Sequence, residues 1–264
     1  MKIRVQNYTP EGFIALDNSA LIYPPTEAVY NANTFRVSLD LCYTIKQEIL
    51  EQALHDVLER CSYAKVSLHA GFFWYYLSPN TKQPLVHPEG SYPSGRFSFK
   101  ENNGYLFKVL NSEHRIALEC FHALTDGSGA MAYLKLLVER YCHYANIVDF
   151  QFPGALNYKA RPSIQEFSDP FQHLYDKNLP SYPKISKAYH RKGTGSIDDR
   201  VKVISASIPT KQIKERAKAR GITIGEYLSS TYLYALQQLQ QQEVPLQKQR
   251  SEEHTSELQS RFGI

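Results

Sequence analysis

Apolar and polar residues alternate in several short stretches of this chain and recur at helical spacing in others. Residues 35–41 alternate with the period of two that predicts a half-buried strand. From residue 45 to residue 60 the apolar positions lie three and four residues apart, which predicts an amphipathic helix. Thr44 and Gln47 have the spacing of a capping box, so we expect this helix to begin there.

The pattern continues with short strands and turns up to residue 121. The strands are predicted over residues 66–70, 72–77, 97–99, 105–110 and 115–121. Proline and glycine indicate a loop over residues 84–95, and Asn102–Gly104 has the composition of a hairpin turn. Trp74, Tyr75 and Tyr76 lie on a predicted strand, so we expect them in the core rather than in an acceptor pocket.

A second helical stripe runs from residue 130 to residue 141, and Asp126 or Ser128 is positioned to cap it. Residues 150–195 carry five prolines and little periodicity, which predicts a long connection.

Beyond this connection we predict a strand over residues 201–208 and a helix over residues 210–219. A last helix reaches about residue 242 and begins at a capping box of Thr223 and Glu226. Strands and helices mixed in this order predict an α+β fold of packed layers.

Composition excludes several classes of function. With 264 residues, of which 42% are hydrophobic and 21% are charged, the chain can bury a sizeable core. The net charge is +4, and lysine and arginine are dispersed, so no nucleic-acid surface is predicted. No apolar run is long enough to cross a bilayer, and residues 1–6 lack the apolar core of a signal peptide. A cytoplasmic location is therefore expected.

Cysteine and histidine show no metal-binding pattern. The four cysteines form no CxxC pair, and Cys120 and Cys142 lie on apolar faces, where buried and inert thiols are expected. The histidines other than His122 are scattered without the spacing of ligands, so no metal site is predicted.

The strongest chemical signal is the run from His122 to Gly127, which directly follows the predicted strand 115–121. Histidine is the side chain whose unperturbed pKa allows proton transfer near neutral pH. At the end of a rigid strand it has a fixed position against a substrate. A satisfied core histidine is the alternative interpretation, because isolated motif matches are often false.

This run resembles the HxxxDG motif of the coenzyme A-dependent acyltransferase superfamily, which includes chloramphenicol acetyltransferase, condensation domains and alcohol acetyltransferase-like proteins. The resemblance extends over about residues 28–241, and residues 72–77 are similar to the alcohol acetyltransferase-like branch. It implies a chloramphenicol acetyltransferase-like mixed-sheet sandwich of two lobes. It also implies transfer of an acyl group from acyl-CoA, as co-substrate, to a small-molecule alcohol or amine. No permanently bound cofactor is implied.

The resemblance also implies roles for individual residues. His122 is the general base, and a hydrogen bond from its second ring nitrogen, commonly to a backbone carbonyl, is expected to hold the reactive tautomer. Asp126 is a structural partner that pairs with a basic side chain, and Gly127 allows close approach of the backbone. Lys65 stands where relatives often have arginine; Arg36 and Arg60 are the alternative partners of Asp126. The residues that bind substrate are not identified.

The resemblance divides the chain into a lobe over residues 1–150 that carries the motif, a crossover over 151–199 and the start of a second lobe over 200–249. Residues 250–264 resemble the in-frame translation of a sequencing adapter, and we predict that they are not native. The second lobe is then truncated, so we expect this fragment to fold poorly and to be inactive alone.

Two other functions stay open. One is a non-catalytic binding or scaffold lobe of the same fold, which the lysine at position 65 favours. The other is condensation of acyl groups that a carrier protein holds. Phe121 stands where condensation domains usually have another histidine, and this departure weakens the second alternative.

Overall fold

A computed structural model describes residues 13–27, 32–90, 98–147, 151–167, 169, 171, 174–178 and 204–243. By its internal contacts the chain divides into two units. The first comprises Met1–Leu179 with Asp198–Lys202, and the second comprises Pro180–Ile197 with Val203–Ile264.

The first unit contains two sheets and two long helices among its described residues. In chain order the elements are β1 (Ile14–Ala15), α1 (Tyr23–Thr26), β2 (Thr34–Asp40), α2 (Gln47–Arg60), β3 (Val66–Ala70), β4 (Tyr75–Pro79), β5 (Val86–Pro88), β6 (Phe107–Asn111), β7 (Arg115–Phe121) and α3 (Gly127–Tyr144). One sheet has the strand order β2-β7-β6-β5, with β5 and β6 parallel and the other pairs antiparallel. The other is antiparallel with the order β1-β4-β3. The α+β prediction is confirmed.

The main core lies where α2 and α3 pack against each other and against the four-stranded sheet. Alternate β7 residues (Ile116, Leu118 and Cys120) belong to it, together with the buried faces of both helices. A fully buried leucine contributes about 1.5–3 kcal/mol, and α3 alone buries Leu134, Leu136 and Leu137 completely. The strand that leads into the motif is therefore firmly anchored.

Local chemistry defines both ends of α3. Asp126 accepts a hydrogen bond from the Gly129 backbone N–H at 2.8 Å and so caps the beginning. At the other end Asn146 has a φ of 52°, and the Ile147 N–H donates to the Cys142 carbonyl at 3.1 Å. This is the Schellman arrangement, in which a left-handed residue lets the chain leave the helix.

Two local predictions around α2 and β5 are wrong. The N-cap of α2 is Lys46 without a side-chain hydrogen bond, so Thr44 and Gln47 form no capping box. The Tyr141 hydroxyl instead accepts a hydrogen bond from the Lys46 N–H at 2.9 Å. The predicted loop 84–95 contains β5, which pairs with β6 through long-range contacts that local composition does not show.

The predicted hairpin is also corrected. Phe99 precedes a 3-10 turn over Lys100–Asn102 and belongs to no strand, while Asn103 and Gly104 have the positive φ values that a tight turn requires. Residue 97 lies outside the described part. The hairpin that forms joins β6 to β7.

The described part of the second unit contains two helices, α4 (Thr210–Lys218) and α5 (Ile224–Glu243). The capping box before α5 is confirmed, because Thr223 Oγ1 accepts from the Glu226 N–H and Glu226 Oε2 accepts from the Thr223 N–H. Residues 204–208 form no strand, and residues 201–203 of that prediction lie outside the described residues. Residues 179–195 of the predicted connection also lie outside them.

Candidate active site

His122 is the first residue after β7, and the sheet holds its backbone. Thr34 pairs with Phe121 in the β2–β7 ladder, and the His122 N–H continues this ladder by donating to the Asn33 carbonyl at 2.8 Å. Because the sheet is buried against two helices, the Cα of His122 has little freedom. The His122 side chain is half-buried, so it is neither a fully packed core residue nor a freely moving surface residue.

Two aromatic rings determine the surroundings of the His122 imidazole. The Tyr23 ring stacks on it with 4.5 Å between centroids and 11° between planes. The Phe35 ring lies 4.9 Å away at 56°. Across the described residues no side-chain hydrogen bond of His122 is found, so the expected bond from its second ring nitrogen to a backbone carbonyl is not part of this geometry. Aromatic packing is what orients the imidazole here.

Asp126 acts as the N-cap of α3, one of the two capping residues that the sequence suggested. Its backbone carbonyl also accepts the Ala130 N–H at 2.9 Å, in the first turn of the helix. The side chain is exposed and, within the described ranges, forms no ion pair. Asp126 therefore joins the segment that follows His122 to the beginning of α3 through backbone N–H groups.

Lys65 was expected to pair with Asp126, with Arg36 or Arg60 as the alternative, but all three pair with other carboxylates, so this pairing does not form among the described residues. The Lys65 ammonium contacts Glu59 Oε1 at 2.7 Å, because the 3-10 turn after α2 returns it to the last turn of that helix. Arg36 lies directly opposite Glu119 in the β2–β7 ladder and contacts its carboxylate at 2.7 Å.

Arg60, the other alternative partner of Asp126, is almost fully buried. Its guanidinium contacts Glu166 through two nitrogens, at 2.9 and 3.1 Å. The hydrogen bonds from Arg60 hold the pKa of the Glu166 carboxyl below its ordinary value. This ion pair joins the end of α2 to the segment around residue 166. Arg60 therefore pairs with Glu166 and not with Asp126.

The closely packed glycine of this segment is not the one that the motif singles out. A Cβ on Gly127 would meet no atom within 4 Å, so this chain's own structure would accept alanine there. A Cβ on Gly129 would lie 2.0 Å from Thr125 Oγ1. Gly129 was not predicted as a functional residue, although the sequence shows glycine at both position 127 and position 129. If glycine is required at position 127, the described protein atoms do not explain it, and a bound ligand would have to occupy the space beside it.

A cavity of about 140 Å³ lies beside the motif, within the first unit. Ala123 and Leu124, the two residues after His122, line it together with apolar residues of the β1 and β4 strands. Three carboxylates also line it: Asp17, Glu166 and Asp169. Pockets for drug-sized ligands usually measure about 300–1,000 Å³, so this space is too small for a whole acyl-CoA. His122 is not one of its lining residues.

The cysteines near the motif are poor nucleophiles. Cys61 and Cys120 are buried, and burial raises the pKa of the Cys61 thiol to about 11 and that of Cys120 further. The prediction that Cys120 and Cys142 are buried is confirmed. Within the described residues no group of three or more potential metal ligands occurs.

The aromatic stretch after β3 differs from the prediction. Strand β4 begins only at Tyr75, and the preceding residues form the tip of the β3–β4 hairpin, closed by a hydrogen bond from the Gly71 N–H to the Trp74 carbonyl. Phe72, Phe73 and Trp74 are 93%, 87% and 61% exposed. The expectation that Trp74 lies in the core is therefore wrong, because a hairpin tip has no second layer to cover it.

Comparison with known proteins finds partial likenesses in structure. No family model matches the sequence, and a search of curated proteins finds no match. The starter condensation domain of rhizomide synthetase RzmA is similar over 47% of this chain and 35% of its own, with 11% identity and a TM-score of 0.37. Polyketide synthase associated protein 5 from Mycobacterium tuberculosis is similar over 50% and 33%, with 15% identity and a TM-score of 0.38.

A variant of the same condensation domain, in complex with C8-CoA and Leu-SNAC, is similar over 52% of this chain and 36% of its own, with 13% identity and a TM-score of 0.41. The chain thus spans about a third of the length of these structures. No helix in the described part of the chain has the length and apolar character needed to cross a membrane.

Proposed function

We propose that this chain carries the histidine-bearing part of an acyltransferase that moves an acyl group from acyl-CoA to the hydroxyl of a small alcohol. The observation that supports it most is His122, a half-buried imidazole at the end of an anchored strand, followed at once by Asp126 and the beginning of α3. The support for the acyl donor is the resemblance of the 122–127 run to the HxxxDG motif.

The chemistry assigns one role to His122. A neutral alcohol is a weak nucleophile, so a base must take its proton as the oxygen attacks the thioester carbonyl. The His122 imidazole accepts that proton and returns it to the coenzyme A thiolate as the carbon–sulfur bond breaks. No covalent acyl-enzyme is needed, and the buried thiols of Cys61 and Cys120 are unsuited to form one. The space beside Gly127 would allow a ligand to approach the backbone.

The same resemblance supports a two-lobed protein whose second lobe is incomplete in this chain. The likeness of residues 250–264 to a translated sequencing adapter supports a tail that is not native. The described residues 204–243 supply two helices and no strand, which is little structure for an independent lobe. Sequencing of the transcript beyond position 249 tests this. A stop codon in the natural reading frame at position 265 would contradict it.

The test of the activity is thiol release from acetyl-CoA in the presence of alcohols, with the complete product of the gene. We expect His122→Ala to lower turnover by about 10²–10⁴-fold, the usual contribution of a general base. His114→Ala is the matched control, because His114 is an exposed histidine in the β6–β7 turn. Unchanged turnover in His122→Ala would exclude the base assignment.

Two specific observations favour a second candidate, a non-catalytic binding lobe. Among the described residues Asp126 has no basic partner, and no hydrogen bond fixes the tautomer of His122. Retention of a protein partner in a pulldown, without thiol release by the wild-type protein, would support this candidate.

Condensation of carrier-bound acyl groups is less favoured. Phe121, at the position where condensation domains usually have a histidine, is fully buried and packs edge-to-face on Phe99 with 5.2 Å between centroids. A requirement for a phosphopantetheine-loaded carrier, with no reaction of free acyl-CoA, would establish condensation instead.

A further inference from the structure

Tyr23 makes the closest ring contact with His122. Its ring lies nearly parallel to the imidazole, with 4.5 Å between centroids and 11° between planes. Tyr23 is the first residue of α1, a single turn of helix with the sequence Tyr-Pro-Pro-Thr. Proline in the first turn of a helix fixes φ without losing an intrahelical hydrogen bond, so the backbone beside Tyr23 is restricted.

Asn33 connects this turn to His122. Its backbone carbonyl accepts the His122 N–H at 2.8 Å, while its side-chain amide donates to the Tyr23 carbonyl at 3.0 Å and to Thr26 Oγ1 at 3.1 Å. The Asn33 N–H in turn donates to Glu27 Oε2 at 2.7 Å. Asn33 therefore holds both the backbone of His122 and the backbone of Tyr23, whose ring covers the imidazole. The stack is part of a hydrogen-bonded unit and not a chance contact between two surface rings.

The physical consequence concerns the direction of the imidazole. In the described part of the chain no hydrogen bond holds a ring nitrogen of His122, so its orientation depends on packing against Tyr23 and Phe35. An aromatic pair of this kind contributes about 0.5–1.5 kcal/mol beyond the area that it buries. The electron-rich face of the Tyr23 ring also attracts the positive charge that the imidazole carries while it holds a proton.

We propose that Tyr23 is a positioning residue for His122: its ring, held in place through Asn33, determines where the imidazole nitrogens point. The kinetic consequence rests on the proposed acyl transfer, whereas the structural consequence does not. The tyrosine hydroxyl is not needed for this role, because the contact is made by the ring face. Phenylalanine at position 23 should therefore preserve the function, and leucine should not.

The first measurement is the proton NMR spectrum of the histidine rings in the complete gene product. Ring currents from a stacked tyrosine shield the imidazole protons, so the His122 resonances should lie upfield in the wild type and in Tyr23→Phe and move downfield in Tyr23→Leu. His69, which stacks on Tyr76 at 5.2 Å and 16°, is an internal control whose resonances should stay in place. Unmoved His122 resonances in Tyr23→Leu would overturn the proposal.

The second measurement is the kinetics of thiol release. We expect Tyr23→Leu to lower kcat by up to about tenfold with KM within about twofold, since 1.36 kcal/mol corresponds to a factor of ten. Tyr23→Phe should stay within about twofold of the wild type. Tyr43→Leu, at a tyrosine that is 54% exposed, is the matched control and should leave kcat unchanged.

The two measurements separate the two proposals. A Tyr23-dependent shift of the His122 resonances without thiol release by the wild type would refute the acyl transfer and retain the positioning of the ring. Thiol release that depends on His122 but is unchanged in Tyr23→Leu would retain the acyl transfer and refute the positioning role of Tyr23. If Tyr23→Leu fails to fold by circular dichroism, equal losses of kcat in Tyr23→Phe and His122→Ala would still overturn a role for the ring alone.

Discussion

Asp126 provides the sharpest test of how the motif is built in this chain. Its Oδ1 caps α3 at 2.8 Å from the Gly129 nitrogen, its side chain is exposed, and within the described residues no cation pairs with it. If the cap is its whole structural role, asparagine should replace it well, because an amide oxygen accepts the same hydrogen bond. Alanine removes the acceptor and should be clearly worse.

The magnitude follows from the geometry. Loss of an N-cap acceptor costs about 0.5–2 kcal/mol, so we expect Asp126→Ala to lower the free energy of unfolding by about 1–2 kcal/mol. Asp126→Asn loses only the attraction of a negative charge to the helix N-terminus, about 0.3–1 kcal/mol. Because α3 has 18 residues and much of it is buried, packing keeps the helix formed in both variants. The loss appears as lower stability and not as lower helix content.

The assay is urea unfolding of the complete gene product, followed by circular dichroism at 222 nm. Ser128→Ala is the matched control, since Ser128 is exposed at the same helix end and does not cap it. Equal destabilisation by asparagine and alanine, reduced in high salt, would refute the cap as the main role. It would show instead that the carboxylate charge pairs with a cation, as the family resemblance implies.

Two further predictions concern the surroundings of the motif. Gly127→Ala should raise the free energy of unfolding by up to about 1 kcal/mol, because alanine is the better helix former. Gly129→Ala should lower it by about 1–3 kcal/mol, because the added methyl group clashes with Thr125. Thermal unfolding of the two variants measures both changes. Since Arg60 lowers the pKa of Glu166 below 4.5, this pair should stabilise the fold above about pH 4.5, and the stability should be lost as the pH falls through the folded-state pKa. Urea titrations of the wild type and Glu166→Gln from pH 3 to 7 measure this difference.

Each of these has a contrary outcome. Equal stability of the two glycine variants would show that the start of α3 shifts to accommodate a side chain. A constant difference in stability between the wild type and Glu166→Gln at every pH would show that the carboxylate form is not what Arg60 stabilises. If Gly127→Ala keeps its stability and loses thiol release, the open space at that position serves a ligand, as the proposed function requires.

Short-range patterns predicted the elements that carry the motif. The alternation over residues 35–41 and 115–121 corresponds to β2 and β7, and the helical stripe after residue 127 corresponds to α3. These succeed because one buried face per element repeats with the period of the backbone itself. The capping box before α5 was also predictable, because its two partners lie within one turn of helix.

Patterns that depend on distant partners were not predictable in this way. Strand β5 exists because β6 pairs with it, and the start of α2 is held by Tyr141, 95 residues away in sequence. The aromatic residues at 72–74 have the composition of a core strand, yet they lie at an exposed hairpin tip. Strand propensity reflects a fit to a half-buried surface, and the fold decides where that surface is.

The sequence by itself determined that a histidine would follow a buried strand and that a helix would begin at Asp126 or Ser128, because both depend on neighbours within a few positions. Only the tertiary structure decided what surrounds that histidine. Tyr23 lies 99 positions earlier in the chain and reaches the imidazole through the pairing of β2 with β7 and the bonds of Asn33. Likewise, the fold places Glu59, Glu119 and Glu166 beside Lys65, Arg36 and Arg60, so these cations pair with those carboxylates and not with Asp126.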